Sequence, residues 1–145
     1  MRIYIASSWK NQHAVDMMTD HLREAGHQVL SFVEKAVSDE GRSNIKSDFV
    51  EWINSAEGQS KFVYDLEGAT KSDLVVYIGP SGTDAWAEVG AAYSQGVPVI
   101  GLWAKGEPAG LMRLMISWHY DFRTLLKEIK KSNMIEKLGK KYEDL

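Results

Sequence analysis

Short unbroken apolar runs alternate along this chain with longer stretches in which apolar residues return every three or four positions, a rhythm that predicts strands and helices in turn. The run at 3–6 ends in Ser7 and Ser8 and reads as a strand followed by a polar loop. Ala14, Met18, Leu22 and Ala25 then share one helical face, which Gly26 stops. Residues 29–33 read as a second strand. Ile45, Phe49, Trp52 and Ala56 recur at helical spacing, and after Gly58 so do Phe62, Leu66 and Ala69, predicting two one-sided helices. The β-branched run at 73–78, bounded by Ser72 and by Gly79-Pro80, fits a strand covered on both faces. A turn at 79–84 leads into an Ala-rich helix at 85–95 with Gly96 as its C-cap, and 97–103 is the next buried strand. Pro98 stands at the start of that strand, where a missing N–H is tolerated. A short apolar segment at 111–116 precedes a last helix built on Phe122, Leu125, Leu126 and Ile129, with Asp121 as N-cap. The Lys- and Glu-rich tail from Lys137 reads as a solvated helix end or a subunit contact.

Strands and helices in alternation imply a parallel sheet wrapped on both faces, most simply a five-stranded, flavodoxin-like (Rossmann-like) three-layer α/β sandwich. No repeat, low-complexity tract or linker interrupts the pattern, so residues 1–145 are expected to form a single domain. In such sheets ligands bind beyond the carboxyl ends of the strands, where the strand order reverses. Three loops qualify: Ser7, Ser8, Trp9, Lys10 and Asn11 after the first strand, residues 79–84 after the central one, and residues 104–108 after the fourth. Glu88 falls within about one turn of the start of the helix leaving the second loop, so its carboxylate is expected to point back over the sheet edge.

Composition narrows the chemistry. With 145 residues, 44% hydrophobic and 26% charged, the chain suits one soluble domain, and a net charge of -3 supplies no general attraction for a nucleic-acid polymer. There is no cysteine, and His13, His21, His27 and His119 lack a metal-ligand spacing, so neither a metal nor another cofactor is expected. No stretch resembles a signal peptide or a membrane span, and a cytoplasmic location is the expectation. The P-loop and dinucleotide-binding glycine motifs are absent, since Ala6-Ser7-Ser8-Trp9-Lys10 stands where they would fall. A phospho-receiver would need an aspartate at a buried strand end, and none is convincingly placed there.

Glu88 and Asp65 together make a candidate pair, because two carboxylates are the minimum equipment for breaking a glycosidic bond. The plainer readings are a glutamate placed by the helix dipole and an aspartate on a solvated helix face. Asp84 and Asp73 compete for the role of acid, although Asp73 fits better as a turn residue before its strand.

The order and spacing of several short words carry a resemblance. Tyr4 to Trp9 at the first strand end, Tyr64-Asp65-Leu66 before Ser72-Asp73-Leu74-Val75-Val76, then Ala87-Glu88-Val89-Gly90-Ala91-Ala92 and Gln95-Gly96-Val97-Pro98-Val99-Ile100-Gly101-Leu102, resemble the nucleoside 2-deoxyribosyltransferase family and the related deoxynucleoside 5′-monophosphate N-glycosidases. The resemblance implies that Glu88 attacks C1′ of the sugar to form a covalent glycosyl-enzyme, with Asp65 helping to protonate the departing base. Tyr4 would stand beside the nucleophile and Trp9 would flank the base. Ser8 and Lys10 fall where the nucleotide hydrolases bind the 5′-phosphate. Ser7, Gly79, Ser81, Gly82, Thr83 and Asp84 are expected around the sugar, and Trp86 is the tryptophan expected to line the pocket, with Trp52, Trp103 and Trp118 left to packing. Glu88 is expected to stay ionised and Asp65 to have its proton affinity raised.

Two departures bear on the substrate. Gly110 stands where the transferases carry an asparagine, and Met112 or Arg113 where the hydrolases carry a phosphate-binding serine. The resemblance also implies a homo-oligomer whose subunits complete one another's sites, for which the apolar run at 111–116 with Trp118 is suited. A nucleoside or nucleotide is the expected partner, with no membrane involved. Two other readings stay open: a hydrolase or cyclase that consumes NAD and resembles the TIR domains, and a nucleotide-binding protein without turnover.

Overall fold

The structure, a computed structural model, describes residues 1–38 and 49–143, with side chains for 1–35 and 49–133. Five strands, β1 (Arg2–Ala6), β2 (Gln28–Ser31), β3 (Leu74–Ile78), β4 (Val99–Leu102) and β5 (Ser117–His119), form one parallel sheet in the order β2-β1-β3-β4-β5. That is the flavodoxin-like order, and its reversal lies between β1 and β3. The helices are α1 (Gln12–Glu24), α2 (Phe32–Ser38), α3 (Phe49–Asn54), α4 (Ala56–Lys71), α5 (Thr83–Ser94) and α6 (Phe122–Glu143).

Strand alternation divides the core into two layers. Ile3, Ile5, Leu74, Val76 and Ile78 face α1 and α6, where Val15, Met18, Leu22, Leu125 and Ile129 cover them. Tyr4, Ala6, Val75 and Tyr77 face the other way, under Ala69 of α4 and Ala85, Val89 and Ala92 of α5. Asp121 accepts from the backbone N–H groups of Arg123 and Thr124 at 2.7 and 3.3 Å, so it does cap α6.

Four expectations shift. The second strand ends at Ser31, and Phe32 and Val33 open α2 instead. The buried stripe of α1 is Val15, Met18, Thr19 and Leu22, one position round from the face predicted, leaving Ala14 and Ala25 exposed. Burying valine rather than alanine removes more apolar area from water, and Thr19 satisfies its hydroxyl on the Val15 carbonyl at 2.7 Å. The helix expected after Gly58 begins at Ala56, because Ser55 caps it by accepting from the Gly58 N–H at 3.0 Å. Its buried positions are Gly58, Gly68 and Ala69, while Phe62 and Leu66 face solvent. The cause is close approach: a Cβ on Gly68 would run into the Tyr4 ring, so α4 meets β1 through small residues. Ile45 lies outside the described residues.

Candidate functional site

A cleft of about 280 Å³ opens at the switch point, lined by Ser7, Ser8, Trp9, Phe32, Asp65, Gly82, Thr83, Asp84, Ala85 and Glu88. That volume lies near the lower end for small-molecule sites, roughly 300 Å³ upward. Loop connections from β1 and β3 form its floor. Asn11 ties them together, its Nδ2 donating to the Pro80 carbonyl at 2.8 Å and to Ser7 Oγ at 3.1 Å. Ser7 in turn donates its proton to the Ile78 carbonyl at 2.7 Å, so this hydroxyl already has a structural acceptor. Ser8 caps a short 3-10 turn, Trp9–Asn11, by accepting from the Lys10 N–H at 3.3 Å. Trp9 meets Phe32 edge to face at 5.4 Å, making an aromatic wall.

Tyr4 is fully buried and outside the lining, and its hydroxyl donates to Glu88 Oε1 at 2.9 Å and also interacts with Asp65. Tyr4, Glu88 and Asp65 come from β1, α5 and α4. Their meeting follows from Gly68, which lets α4 and its Asp65 descend onto the Tyr4 ring.

Burial is the main influence on both carboxyls. It pushes Glu88 up to about 8, helped by the charges of Asp65 and Asp84 and opposed by the Tyr4 hydrogen bond. Asp65 is pushed up to about 6 by burial and Asp84, against the Tyr4 hydrogen bond and Lys61. The same burial raises the Tyr4 phenol far above its usual range, so it stays a donor. Both carboxyls are therefore raised, and the pair shares a proton into the neutral range, so Glu88 is not held ionised as expected from sequence. Burial outweighs any help from the helix dipole, since α5 starts at Thr83 and Glu88 stands in its second turn.

The remaining predicted residues sort by position. Gly82, Thr83 and Asp84 line the cleft at the start of α5. Lys10 is exposed and outside the lining; Gly79 and Ser81 are buried and also outside it. Trp86, expected to line this pocket, turns the other way and packs against Tyr77 and Trp118 at 5.1 and 6.5 Å, because two helical positions separate it from Glu88 by about 200°. Met112 is exposed, and the Arg113 guanidinium lies over the Trp118 ring at 5.1 Å. Neither borders the cleft. Asp73 sits at the amino ends of the strands, away from the cleft, accepting from the Arg2 N–H at 2.7 Å. Phe32 was not singled out by the sequence, and Asn11 and Glu107 only as members of candidate loops; the aromatic character of Phe32 after a strand was the one available signal. Among the described residues no cluster of three or more His, Cys, Asp or Glu has the arrangement of a metal site, and no helix is long and apolar enough to cross a membrane.

The backbone trace matches a 2-deoxyribosyltransferase from Bacillus psychrosaccharolyticus with a TM-score of 0.67 and 23% identity, over 86% of this chain and 90% of that one. The fold is that of a deoxyribosyltransferase. A Clostridium botulinum CMP N-glycosidase, BcmB, matches with a TM-score of 0.54 at 16% identity, over 83% of this chain and 88% of that one. A conserved protein from Enterococcus faecalis matches at 0.51 and 19%, over 86% and 84%. No family model matches the sequence, and no curated protein matches it either. Within the deoxyribosyltransferase fold, the cleft of this chain occupies the switch point formed by β1, β3 and the start of α5.

Proposed function

We propose that this protein cleaves the N-glycosidic bond of a nucleoside, passing the sugar to a second base or to water. The observation that carries this reading is the hydrogen bond from Tyr4 to Glu88 at 2.9 Å inside a cleft that also holds Asp65. Similarity of fold to a 2-deoxyribosyltransferase and a CMP N-glycosidase supports it.

As the C1′–N bond lengthens, positive charge grows at C1′, and buried carboxylates beside it stabilise that charge. Glu88 Oε forms the new bond to C1′ while the C1′–N electron pair leaves with the base, which takes up a proton from Asp65. A second base, or water, deprotonated by Asp65 then attacks C1′ and releases Glu88, so two displacements retain the anomeric configuration. The two raised carboxyls share a proton in the neutral range, and attack needs it on Asp65 with Glu88 ionised. Tyr4 assists by donating to the Glu88 carboxylate.

The lining argues for a neutral substrate. Asp65, Asp84 and Glu88 face the cleft, and no Lys or Arg does among the described residues. A 5′-phosphate or the diphosphate of NAD would meet these carboxylates with no lysine or arginine among the described lining residues, whereas a nucleoside brings no negative charge. A homo-oligomer belongs to the same reading. Exposed Leu111, Met112 and Leu114 beside Tyr93 support it, and light scattering after size exclusion tests it.

The deciding experiment offers deoxynucleosides, ribonucleosides, their monophosphates and NAD to the protein, with and without a free acceptor base, and follows base release by chromatography. Nucleosides should be turned over, and Glu88→Ala should lower the rate by about three orders of magnitude or more. Full activity in that variant removes Glu88 as nucleophile, and preference for monophosphates or NAD removes the electrostatic argument. Base exchange faster than sugar release identifies a transferase; the opposite identifies a hydrolase.

A further inference from the structure

One carboxylate near the switch point takes no part in the cleft. Glu107, in the loop after β4, accepts from the Tyr77 hydroxyl, which lies 2.8 Å from each of its oxygens, and from Trp86 Nε1 at 3.2 Å. Tyr77 is fully buried, and Ser81 donates to its oxygen at 2.9 Å, which directs the phenolic proton at Glu107. A Cβ on Gly79 would collide with the Glu107 carboxylate, so glycine there makes room for it. Trp118 closes the group against Tyr77 with a T-shaped contact at 5.7 Å.

The arrangement places α5 between two tyrosine–glutamate hydrogen bonds. On one side Tyr4 of β1 holds Glu88; on the other Tyr77 of β3 and Glu107 hold Trp86, two residues earlier. Ala85 and Val89, both buried, seat the helix on the sheet between them. Apolar seating fixes the height of a helix and leaves rotation about its axis less constrained, since dispersion contacts are not directional. Hydrogen bonds on opposite sides constrain that rotation.

We propose that Glu107 is a positioning residue, which by anchoring Trp86 sets the rotation of α5 and so the aim of the Glu88 carboxylate. This rests on the reading of the cleft as an N-glycosidic site. Misplacing a reacting group by about 1 Å costs roughly a hundredfold in rate, so the anchor matters even though it touches no substrate. Its loss also leaves the Tyr77 hydroxyl and the Trp86 N–H without an acceptor.

Glu107→Ala and Glu107→Gln in the full chain test the role through kcat, KM and the titration of Glu88 followed by carbon-detected NMR. Tyr4, Asp65 and Asp84 face Glu88 and are left intact. Glu107→Ala should lower kcat about 10- to 100-fold with KM within about threefold of the parent. Glu107→Gln, which keeps an acceptor oxygen, should recover to within about fivefold, and the Glu88 titration should move by about half a pH unit or more only in the alanine variant. Unchanged kcat per folded molecule, or an unmoved Glu88 titration, overturns the proposal. If Glu107→Ala does not fold, Trp86→Phe removes the same N–H while keeping a ring, and must move kcat and the Glu88 titration in the same direction, or the proposal falls. Should the parent protein turn over no nucleoside, the glycosidic reading fails, and the Glu88 titration alone decides the anchor.

Discussion

Replacing Glu88 by glutamine should make the protein more stable, and increasingly so as the pH rises. The native carboxyl titrates at about 8 against an ordinary 4.5, chiefly because it is buried beside Asp65. Between those values the unfolded chain has released its proton and the native one has not. Unfolding then releases a proton, so stability is complete below about 4.5 and falls as pH rises through 8. The full difference of about 3.5 pH units corresponds to a ceiling of about 5 kcal/mol, and water entering the partly open cleft reduces it to about 2–3 kcal/mol. Glutamine is near-isosteric, keeps an oxygen to accept from Tyr4, and cannot ionise. The two proteins should therefore melt within about 2 °C of one another at pH 4.5. By pH 9 the variant should lead by about 6–9 °C, at roughly 3 °C per kcal/mol for a chain of this length. Asp65, raised from 3.8 to about 6, erodes both proteins alike at lower pH and cancels in the comparison. Circular dichroism melts from pH 4.5 to 9 give the answer. A difference in melting temperature that stays constant over that range would refute a buried, high-affinity proton on Glu88.

Other consequences follow from single contacts. Tyr4→Phe removes the hydrogen bond that holds the Glu88 titration down, so the rising limb of the rate–pH profile should move to higher pH and the rate at pH 7 should drop about tenfold; a limb that stays put contradicts the assignment. Gly68→Ala pushes a methyl into the Tyr4 ring and should cost about 2 kcal/mol in denaturant unfolding together with a lower kcat, whereas a parental midpoint would mean the α4–β1 contact has slack. Thr83→Lys brings an ammonium to the mouth of an acidic cleft, and the ratio of monophosphate to nucleoside turnover should rise by about tenfold; an unchanged ratio tells against charge as the discriminator.

The sheet was legible because its strands are continuous apolar runs cut by Gly, Pro and Ser, and both sides of 73–78 had to be buried for such a run to make sense. Periodicity was less informative where residue size decided the outcome. It weighs Ala14 and Val15 alike, yet packing buries valine, and it sends Phe62 and Leu66 inward although Gly68 is what fits against Tyr4. Phe32 and Val33 continue an apolar run, so pattern alone could not separate the end of β2 from the start of α2. The gathering of Ser7, Ser8, Trp9, Asp65, Thr83, Asp84 and Glu88 around one cleft follows from topology and was readable. Lys10, Gly79, Ser81 and Trp86 were placed too close to it, because sequence position does not say which way a side chain turns. The raised proton affinity of Glu88 comes mainly from burial, which the residues around it in sequence do not reveal. Glu107 meets Tyr77 across thirty positions of sequence, a pairing with no local signature.

The two walls of the cleft differ in how much they tolerate. The Tyr4 side is built by a strand and a helix in contact at a glycine, so any change there travels at once to Asp65 and Glu88. The Trp9–Phe32 side is two rings touching edge to face, one on a short surface turn and the other at the first position of α2, with Trp9 43% exposed. On the proposed function, exchanging those rings would admit new shapes of base while the carboxylate side stays fixed. For anyone wishing to redirect this scaffold toward modified nucleosides, the library belongs at positions 9 and 32.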